Sequence, residues 1–146
     1  MIKEKYLGTY LKTARLFAEH SSAVRMKVGA VIVKDDRIIS IGYNGMPTGW
    51  NNNCEQVVGH THEGPVLKTK PEVLHAESNA IAKLAKSTES GDGASMFITC
   101  APCVECAKMI YQAGIREVFY GHKYRSDDGI DFLYKCGITV RQLDEV

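Results

Sequence analysis

The chain has 146 residues, 45% of them apolar and 24% charged, which suits one globular domain with one core. Its net charge of +1 gives no general attraction to a nucleic acid polymer, and no segment approaches the roughly 20 apolar residues of a membrane span. We therefore expect a single domain over 1–146, without nucleic acid or membrane partners, in the cytoplasm (the host cytoplasm for a viral protein). In that reducing compartment the five cysteines are expected to be thiols or metal ligands rather than disulfides.

The first half of the chain predicts a helix, a hairpin and a long loop. Apolar residues recur at helical spacing from Lys3 to about His20. Two apolar runs, 28–33 and 38–43, flank a short polar turn and predict a β-hairpin. Residues 44–70 are rich in glycine, proline and asparagine, so we expect an irregular loop, which at this length is usually functional.

The second half of the chain alternates between helix and strand. The predicted elements are a helix at 75–86, a strand at 94–99, a helix at 103–113, a strand at 118–120, a helix at 127–135 and a strand at 138–143. Gly114 and Gly137 stand where left-handed C-caps would end two of the helices. This alternation predicts a layered α/β domain whose second half is largely parallel, while the opening hairpin makes the sheet mixed.

A cysteine pair opens the second of these helices. Cys103 and Cys106 lie three residues apart, so their sulfurs share one face, and Pro102 favours a helix start. The helix dipole favours the thiolate form, which binds zinc. A redox pair remains an alternative, whereas a zinc ribbon would need a second cysteine pair. Cys100 and Cys136 each end an apolar element and are expected to be buried thiols.

His75 and Glu77 open the first helix of the second half. Together with Cys103 and Cys106, His75 would give three protein ligands and leave a fourth zinc position open, as in catalytic sites. Glu77 would then act as an acid–base group rather than a ligand. The alternative for Glu77 is a first-turn glutamate that interacts only with the helix dipole.

This H-x-E … P-C-x-x-C pattern occurs in zinc deaminases that act on nucleobases. In that chemistry an activated water attacks C4 of cytosine, the glutamate moves protons, and ammonia leaves a uracil ring. Two rival classes stay open: a non-catalytic zinc module, which needs no Glu77, and a redox protein whose cysteines cycle through a disulfide.

A wider resemblance follows from four segments. "VGAVIV", "GYNGMP", "HAESNAI" and "APCVECAKMIYQAGIREVFY" occur in this order and resemble the deoxycytidylate deaminase family. The resemblance implies a three-layer α/β/α sandwich with a five-stranded mixed sheet, of the cytidine deaminase-like fold. It also implies hydrolytic conversion of dCMP to dUMP, which feeds thymidylate synthesis. Members are often hexamers, activated by dCTP with magnesium and inhibited by dTTP. Enzymes acting on cytidine or on adenosine in transfer RNA are the nearest rivals.

The resemblance also assigns roles to residues of this chain. Asn44 would contact the 3′-hydroxyl of deoxyribose, and the backbone at Ala76 and Ala101 would contact the cytosine edge. Candidates for the phosphate, chosen for their cationic or hydroxyl groups, are Arg25, Tyr124, Lys27 and Arg125. The effector site would involve Gly42, Tyr43, Asn44 and Gly45, with Lys27.

A second, structural zinc is found in some relatives beside the long loop. Cys54, His60 and His62 lie in that loop here. The cysteine that relatives carry after the first helix is absent, and His20 could replace it as a fourth ligand. We therefore expect either one or two zinc ions per chain.

Overall fold

The computed structural model describes residues 2–143, with four helices and seven strands in that range. The helices are α1 (Glu4–Ala18), α2 (Ala76–Ala85), α3 (Val104–Gln112) and α4 (Asp128–Lys135). The strands are β1 (Gly29–Lys34), β2 (Arg37–Tyr43), β3 (Glu55–Thr61), β4 (Gly64–Thr69), β5 (Ser95–Cys100), β6 (Glu117–His122) and β7 (Thr139–Gln142). Within residues 2–143, no helix combines the length and apolar character needed to cross a bilayer.

Five strands form one mixed sheet in the order β2-β1-β5-β6-β7. β1 is antiparallel to both β2 and β5, while β5, β6 and β7 are parallel to one another. Parallel neighbours need crossover connections, which α3 and α4 supply. The predicted mixed sheet with a parallel second half is confirmed.

The sheet has a hydrophobic core on each face, which gives three layers. On one face, Ala30 and Ile32 of β1 join apolar residues of α2, α3 and α4. On the other, Val31 and Val33 join Leu7 and other residues of α1. Because side chains alternate along a strand, a continuous apolar run such as β1 contributes to both cores at once.

The turns at the helix ends follow the prediction. Gly114 and Gly137 adopt φ values of +82° and +79°, the left-handed conformation that glycine takes without a side-chain penalty. Each glycine reverses the chain from a helix toward the next parallel strand, so the C-caps determine where β6 and β7 begin.

The predicted irregular loop at 44–70 is wrong in its second part. β3 and β4 form a separate two-stranded antiparallel hairpin there. Most of their side chains are exposed, so the alternation of buried and exposed residues that marks a strand is absent. The first part of the segment, 46–54, remains irregular.

Candidate active site and metal centre

Two helix starts bring three metal-ligand side chains together. His75 is the N-cap residue of α2, Cys103 is that of α3, and Cys106 lies in the first turn of α3. His75 Nδ1 lies 3.7 Å from Cys103 Sγ and 3.3 Å from Cys106 Sγ. Within residues 2–143, this is the only group of three or more histidine, cysteine or acidic side chains with ligand atoms all within 4.8 Å of one another.

These separations fit a tetrahedral zinc site. With Zn–N near 2.0 Å and Zn–S near 2.3 Å, tetrahedral angles place the ligand nitrogen and each sulfur about 3.5 Å apart. The two observed distances lie on either side of that value. One imidazole and two thiols are also the donor types that zinc prefers. The three residues therefore form a His/Cys/Cys zinc-binding site.

The thiol electrostatics also favour a cation. Hydrogen bonds from Cys106 and then His75 lower the pKa of Cys103 to about 4. The same contact with Cys103, together with burial, raises the pKa of Cys106. The hydrogen bond with Cys103 raises the pKa of His75. Zinc binds thiolates and a neutral imidazole, so metal binding would release the protons that Cys106 and His75 hold.

Glu77 is buried beside this cluster. Only 5% of its surface is exposed, although it lies in the first turn of α2. Burial raises the pKa of its carboxyl group to about 7, and the carboxyl is within hydrogen-bonding reach of Cys106. The helix dipole also stabilises glutamates that remain exposed, so it does not by itself explain the burial of this carboxyl.

A cavity of about 530 Å³ opens onto His75, Cys103 and Glu77. Its volume lies within the range of small-molecule sites. All five residues predicted to contact substrate line it: Arg25, Asn44, Ala76, Ala101 and Tyr124. Arg125 lines it as well, whereas Lys27 lines a smaller cavity of about 210 Å³ that also includes Arg15 and His122.

Asn44 connects the cavity wall to the chain before β1. Its Oδ1 accepts a hydrogen bond from the Val28 N–H, and its Nδ2 donates one to the Met26 carbonyl, both at 2.9 Å. The amide therefore holds residues 26–28 in place. One N–H and one lone pair of that amide remain for a ligand.

Gly42 and Tyr43, from the Gly-Tyr-Asn-Gly segment, are the last two residues of β2, and Gly42 lies against α2. A Cβ at Gly42 would collide with the Ala76 carbonyl oxygen, so the strand approaches the helix that begins after His75. The Tyr43 carbonyl accepts a hydrogen bond from Asn79, and Gly45 bridges to Leu74, the residue before His75. Packing beside the metal centre therefore explains Gly42, whereas a Cβ at Gly45 would meet no atom within 4 Å.

Helix α4 packs against the backbone of Pro102 and Cys103, just before the start of α3. A Cβ at Gly129 would collide with the Pro102 carbonyl oxygen and lie 2.9–3.0 Å from the carbonyl group of Cys103. Only a glycine allows α4 to approach the backbone that carries the first zinc-binding thiol. No local pattern in the sequence marks this glycine, because the contact joins two helices whose packing is a tertiary property.

The four residues suggested for a second zinc do not come together. Cys54 is fully buried with Ala23 and Val73, and burial raises the pKa of its thiol. His60 and His62 are exposed at the end of the β3–β4 hairpin, and the His20 ring packs near Tyr43. Formation of the hairpin directs the two histidines away from Cys54, which the expectation of an irregular loop did not anticipate.

The two remaining cysteines, Cys100 and Cys136, are free thiols. Cys100 is buried as expected, and burial raises its pKa to about 11. Cys136 was also expected to be buried, but it is only partly so, because it caps the exposed end of α4.

Three further cavity residues were not identified in the sequence. Glu55, Lys70 and Lys123 line the cavity beside the predicted residues. Lys70 and Lys123 were unremarkable among 18 basic residues. Glu55 makes its contacts about 30 residues away in the chain, so no local pattern reveals it.

Comparison with known proteins agrees with this geometry. Residues 4–122 match the family described as the cytidine and deoxycytidylate deaminase zinc-binding region. The dCMP deaminase of cyanophage S-TIM5, crystallised with dCMP and dUMP, is 44% identical; the match has a TM-score of 0.87 and covers 98% of this chain and 100% of that one.

Two curated relatives match at lower identity. Deoxycytidylate deaminase of Enterobacteria phage T4 is 34% identical over 168 residues, which cover 91% of this chain and 87% of the phage protein. The enzyme of Saccharomyces cerevisiae is 35% identical over 144 residues, covering 97% of this chain but only 46% of the yeast protein. With a family match over most of its length, the chain belongs to the cytidine and deoxycytidylate deaminase family.

Proposed function

We propose that this protein is a zinc-dependent enzyme that hydrolyses dCMP to dUMP and ammonia. The observation that carries the proposal is the buried carboxyl of Glu77 beside three zinc ligands, at the inner end of a cavity with basic side chains. A zinc site that only stabilised the fold would need neither an open coordination position nor a buried acid. The 44% identity to a dCMP deaminase supports the choice of substrate.

When bound, zinc supplies the Lewis acidity that makes water a nucleophile near neutral pH. Glu77 then moves the protons. Its carboxylate takes one proton from the water that attacks C4 of the cytosine ring and delivers it to N3. The second proton of that water passes through the same carboxylate to the amino group, which leaves as ammonia while C4 becomes a carbonyl. A carboxyl whose pKa is near 7 can both accept and donate a proton at neutral pH.

The backbone at the inner end of the cavity suits the cytosine edge. The Ala101 N–H donates to the His122 carbonyl, so the Ala101 carbonyl is the group left to accept from the 4-amino group of cytosine. Ala76 is the first residue of α2, so its N–H lies outside the hydrogen bonds of the helix and can donate to the O2 atom. The remaining N–H of the Asn44 amide would donate to the deoxyribose 3′-hydroxyl.

The outer part of the cavity suits a phosphate dianion. Arg25, Lys123 and Arg125 are exposed residues of the cavity lining, and the partly exposed Lys70 and Tyr124 line it as well. Guanidinium and ammonium groups form strong charge-assisted hydrogen bonds to phosphate. This concentration of basic groups at one cavity in a protein of net charge +1 supports a nucleotide substrate over a nucleoside.

The direct test is incubation of the zinc-loaded protein with dCMP, dCTP, deoxycytidine and cytidine, followed by the ultraviolet change on uracil formation. We expect the highest kcat/KM for dCMP. Preference for cytidine or deoxycytidine would exclude the phosphate-binding role of the basic side chains. Absence of turnover on all four, with zinc bound and the fold intact, would exclude the deaminase.

We further propose regulation by dCTP with magnesium and by dTTP. Support comes from the Gly42–Gly45 segment, where Asn44 lines the catalytic cavity while Tyr43 beside it is partly exposed. A nucleotide that contacted Tyr43 or Gly45 would therefore act on backbone adjacent to a substrate-binding residue. Rate curves against dCMP concentration test this: a hyperbola that neither dCTP nor dTTP changes would exclude regulation.

We also propose that the protein assembles into a homo-oligomer, specifically a hexamer. Val57, Val58 and Val66 are exposed on the β3–β4 hairpin, and an isolated two-stranded hairpin is only marginally stable in water. Contact with another copy would cover these valines. Light scattering after size-exclusion chromatography measures the mass directly, and a monomer at micromolar concentration would contradict the proposal.

A further inference from the structure

Glu55 is a buried acid that the deamination chemistry does not use. It is the first residue of β3, only 4% exposed, and it lines the catalytic cavity. Its Oε2 atom accepts hydrogen bonds from the backbone N–H groups of Val24 and Arg25, each at 3.0 Å. Its Oε1 atom is also buried and makes no hydrogen bond to the described part of the chain. Burying a carboxylate costs free energy unless both oxygens are hydrogen-bonded or paired with a positive charge. Because Oε1 has neither kind of partner within residues 2–143, the burial of Glu55 requires an explanation.

The backbone that Glu55 holds has no secondary structure of its own. Residues 24–28 connect α1 to β1 without helix or strand hydrogen bonds. Two side chains replace them: Glu55 binds the start of the segment, and Asn44 binds it at Met26 and Val28. Arg25 carries one of the N–H groups that Glu55 binds, and it also lines the cavity.

The guanidinium of Arg25 is positioned from the same hairpin. Its Nη1 donates a hydrogen bond to Thr69 Oγ1 at 3.3 Å. Thr69 is the β4 residue paired with Glu55 in the hairpin register. One rung of the β3–β4 ladder therefore holds Arg25 twice, by its backbone through Glu55 and by its side chain through Thr69.

We propose that Glu55 is a positioning residue for nucleotide recognition, which orients Arg25 toward the phosphate of the substrate. The inference rests on the proposed function and deepens it. A guanidinium fixed before binding loses less conformational entropy when the phosphate arrives, so it binds the phosphate more tightly. Glu55 therefore affects the recognition of dCMP through Arg25 and does not act on the reacting atoms.

Steady-state kinetics of the zinc-loaded protein on dCMP and deoxycytidine test the role. We expect Glu55→Ala to raise KM for dCMP by about tenfold, with kcat for dCMP and kcat/KM for deoxycytidine within about threefold of the wild type. Glu55→Gln keeps a carbonyl oxygen for both N–H groups, so its KM should remain within about threefold of the wild type. Glu63→Ala removes an exposed glutamate from the same hairpin and serves as the matched control.

A double-mutant cycle tests whether Glu55 acts through Arg25. In an Arg25→Ala background, Glu55→Ala should change KM for dCMP little further, because the group that it positions is gone. Two fully additive effects would overturn the proposal. Equal losses of kcat/KM on dCMP and deoxycytidine in Glu55→Ala would also overturn it, because they would indicate a general structural role.

Amide hydrogen exchange separates this inference from the proposed function. In the zinc-loaded protein without substrate, Glu55→Ala should accelerate exchange at the Val24 and Arg25 amides by about tenfold or more, with Val31 of β1 unchanged. If the wild type forms no dUMP, the proposed function fails whatever the exchange rates. If the wild type forms dUMP but Glu55→Ala matches Glu63→Ala in both KM and exchange, only the positioning role fails.

Discussion

His75 Nδ1 lies 3.3 Å from Cys106 Sγ, although the two residues are 31 positions apart in the chain. The contact forms because α2 and α3 begin near one another, each with a ligand at its N-cap. Ligands at helix starts are held by backbone geometry rather than by flexible loops. The metal centre should therefore tolerate changes in the β3–β4 hairpin but be sensitive to changes that shift either helix start.

Replacement of Glu77 should separate catalysis from metal binding. Glu77→Gln keeps the size of the side chain but removes its capacity to take a proton, so we expect kcat to fall by at least about a hundredfold. Zinc content and the circular dichroism spectrum should remain those of the wild type, because the three ligands are intact. Retention of deamination in Glu77→Gln would show that another group moves the protons.

Metal analysis should find one zinc per chain. Cys106→Ser replaces a thiolate with a poor zinc ligand, so the purified variant should lose most of its zinc. The double variant His60→Ala/His62→Ala removes the two histidines of the candidate second site and serves as the control. It should keep one zinc per chain, because both histidines are exposed and remote from Cys54 in the fold. Two zinc ions in the wild type and one in this double variant would contradict the structure.

The helices, the mixed sheet and the zinc ligands could all be predicted from the sequence. Periodic apolar residues mark the elements that bury one face, as in α1, and the spacing of Cys103 and Cys106 within one helix is a local property. The family resemblance added Asn44, Ala76 and Ala101, and all three line the cavity.

The hairpin and the role of Glu55 could not be predicted, for two physical reasons. β3 and β4 bury almost no side chain, so they lack the alternation that identifies a strand. The hydrogen bonds that Glu55 accepts from the Val24 and Arg25 N–H groups depend on how the hairpin meets the α1–β1 connection, which is a tertiary property. The second zinc rests on the resemblance and on residue types, and the fold does not bring those residues together within residues 2–143.

A methyl group at Gly129 should weaken zinc binding from a distance. Alanine is the better helix former, so helix propensity alone predicts a more stable α4. The added Cβ would nevertheless collide with the Pro102 carbonyl and displace Cys103. We expect Gly129→Ala to release zinc to a colorimetric chelator roughly tenfold faster, a size typical of changes just outside the ligands. Gly59→Ala, where a Cβ meets no atom within 4 Å, is the control. Equal release rates in the two variants would show that α4 does not support the site.

Removal of the Arg25 guanidinium should affect nucleotides selectively. Arg25 lines the cavity, its side chain is exposed there, and its only contribution to deamination would be a charge-assisted bond to the phosphate. We expect Arg25→Ala to raise KM for dCMP by about tenfold or more, with kcat/KM for deoxycytidine within about threefold of the wild type. Arg37→Ala removes a guanidinium that pairs with Glu89 on the surface at 3.3 Å, and it should leave both substrates unaffected. An equal effect of Arg25→Ala on the two substrates would show that Arg25 does not bind the phosphate. Tyr124 and the basic residues Lys70, Lys123 and Arg125 would then be the next groups to replace.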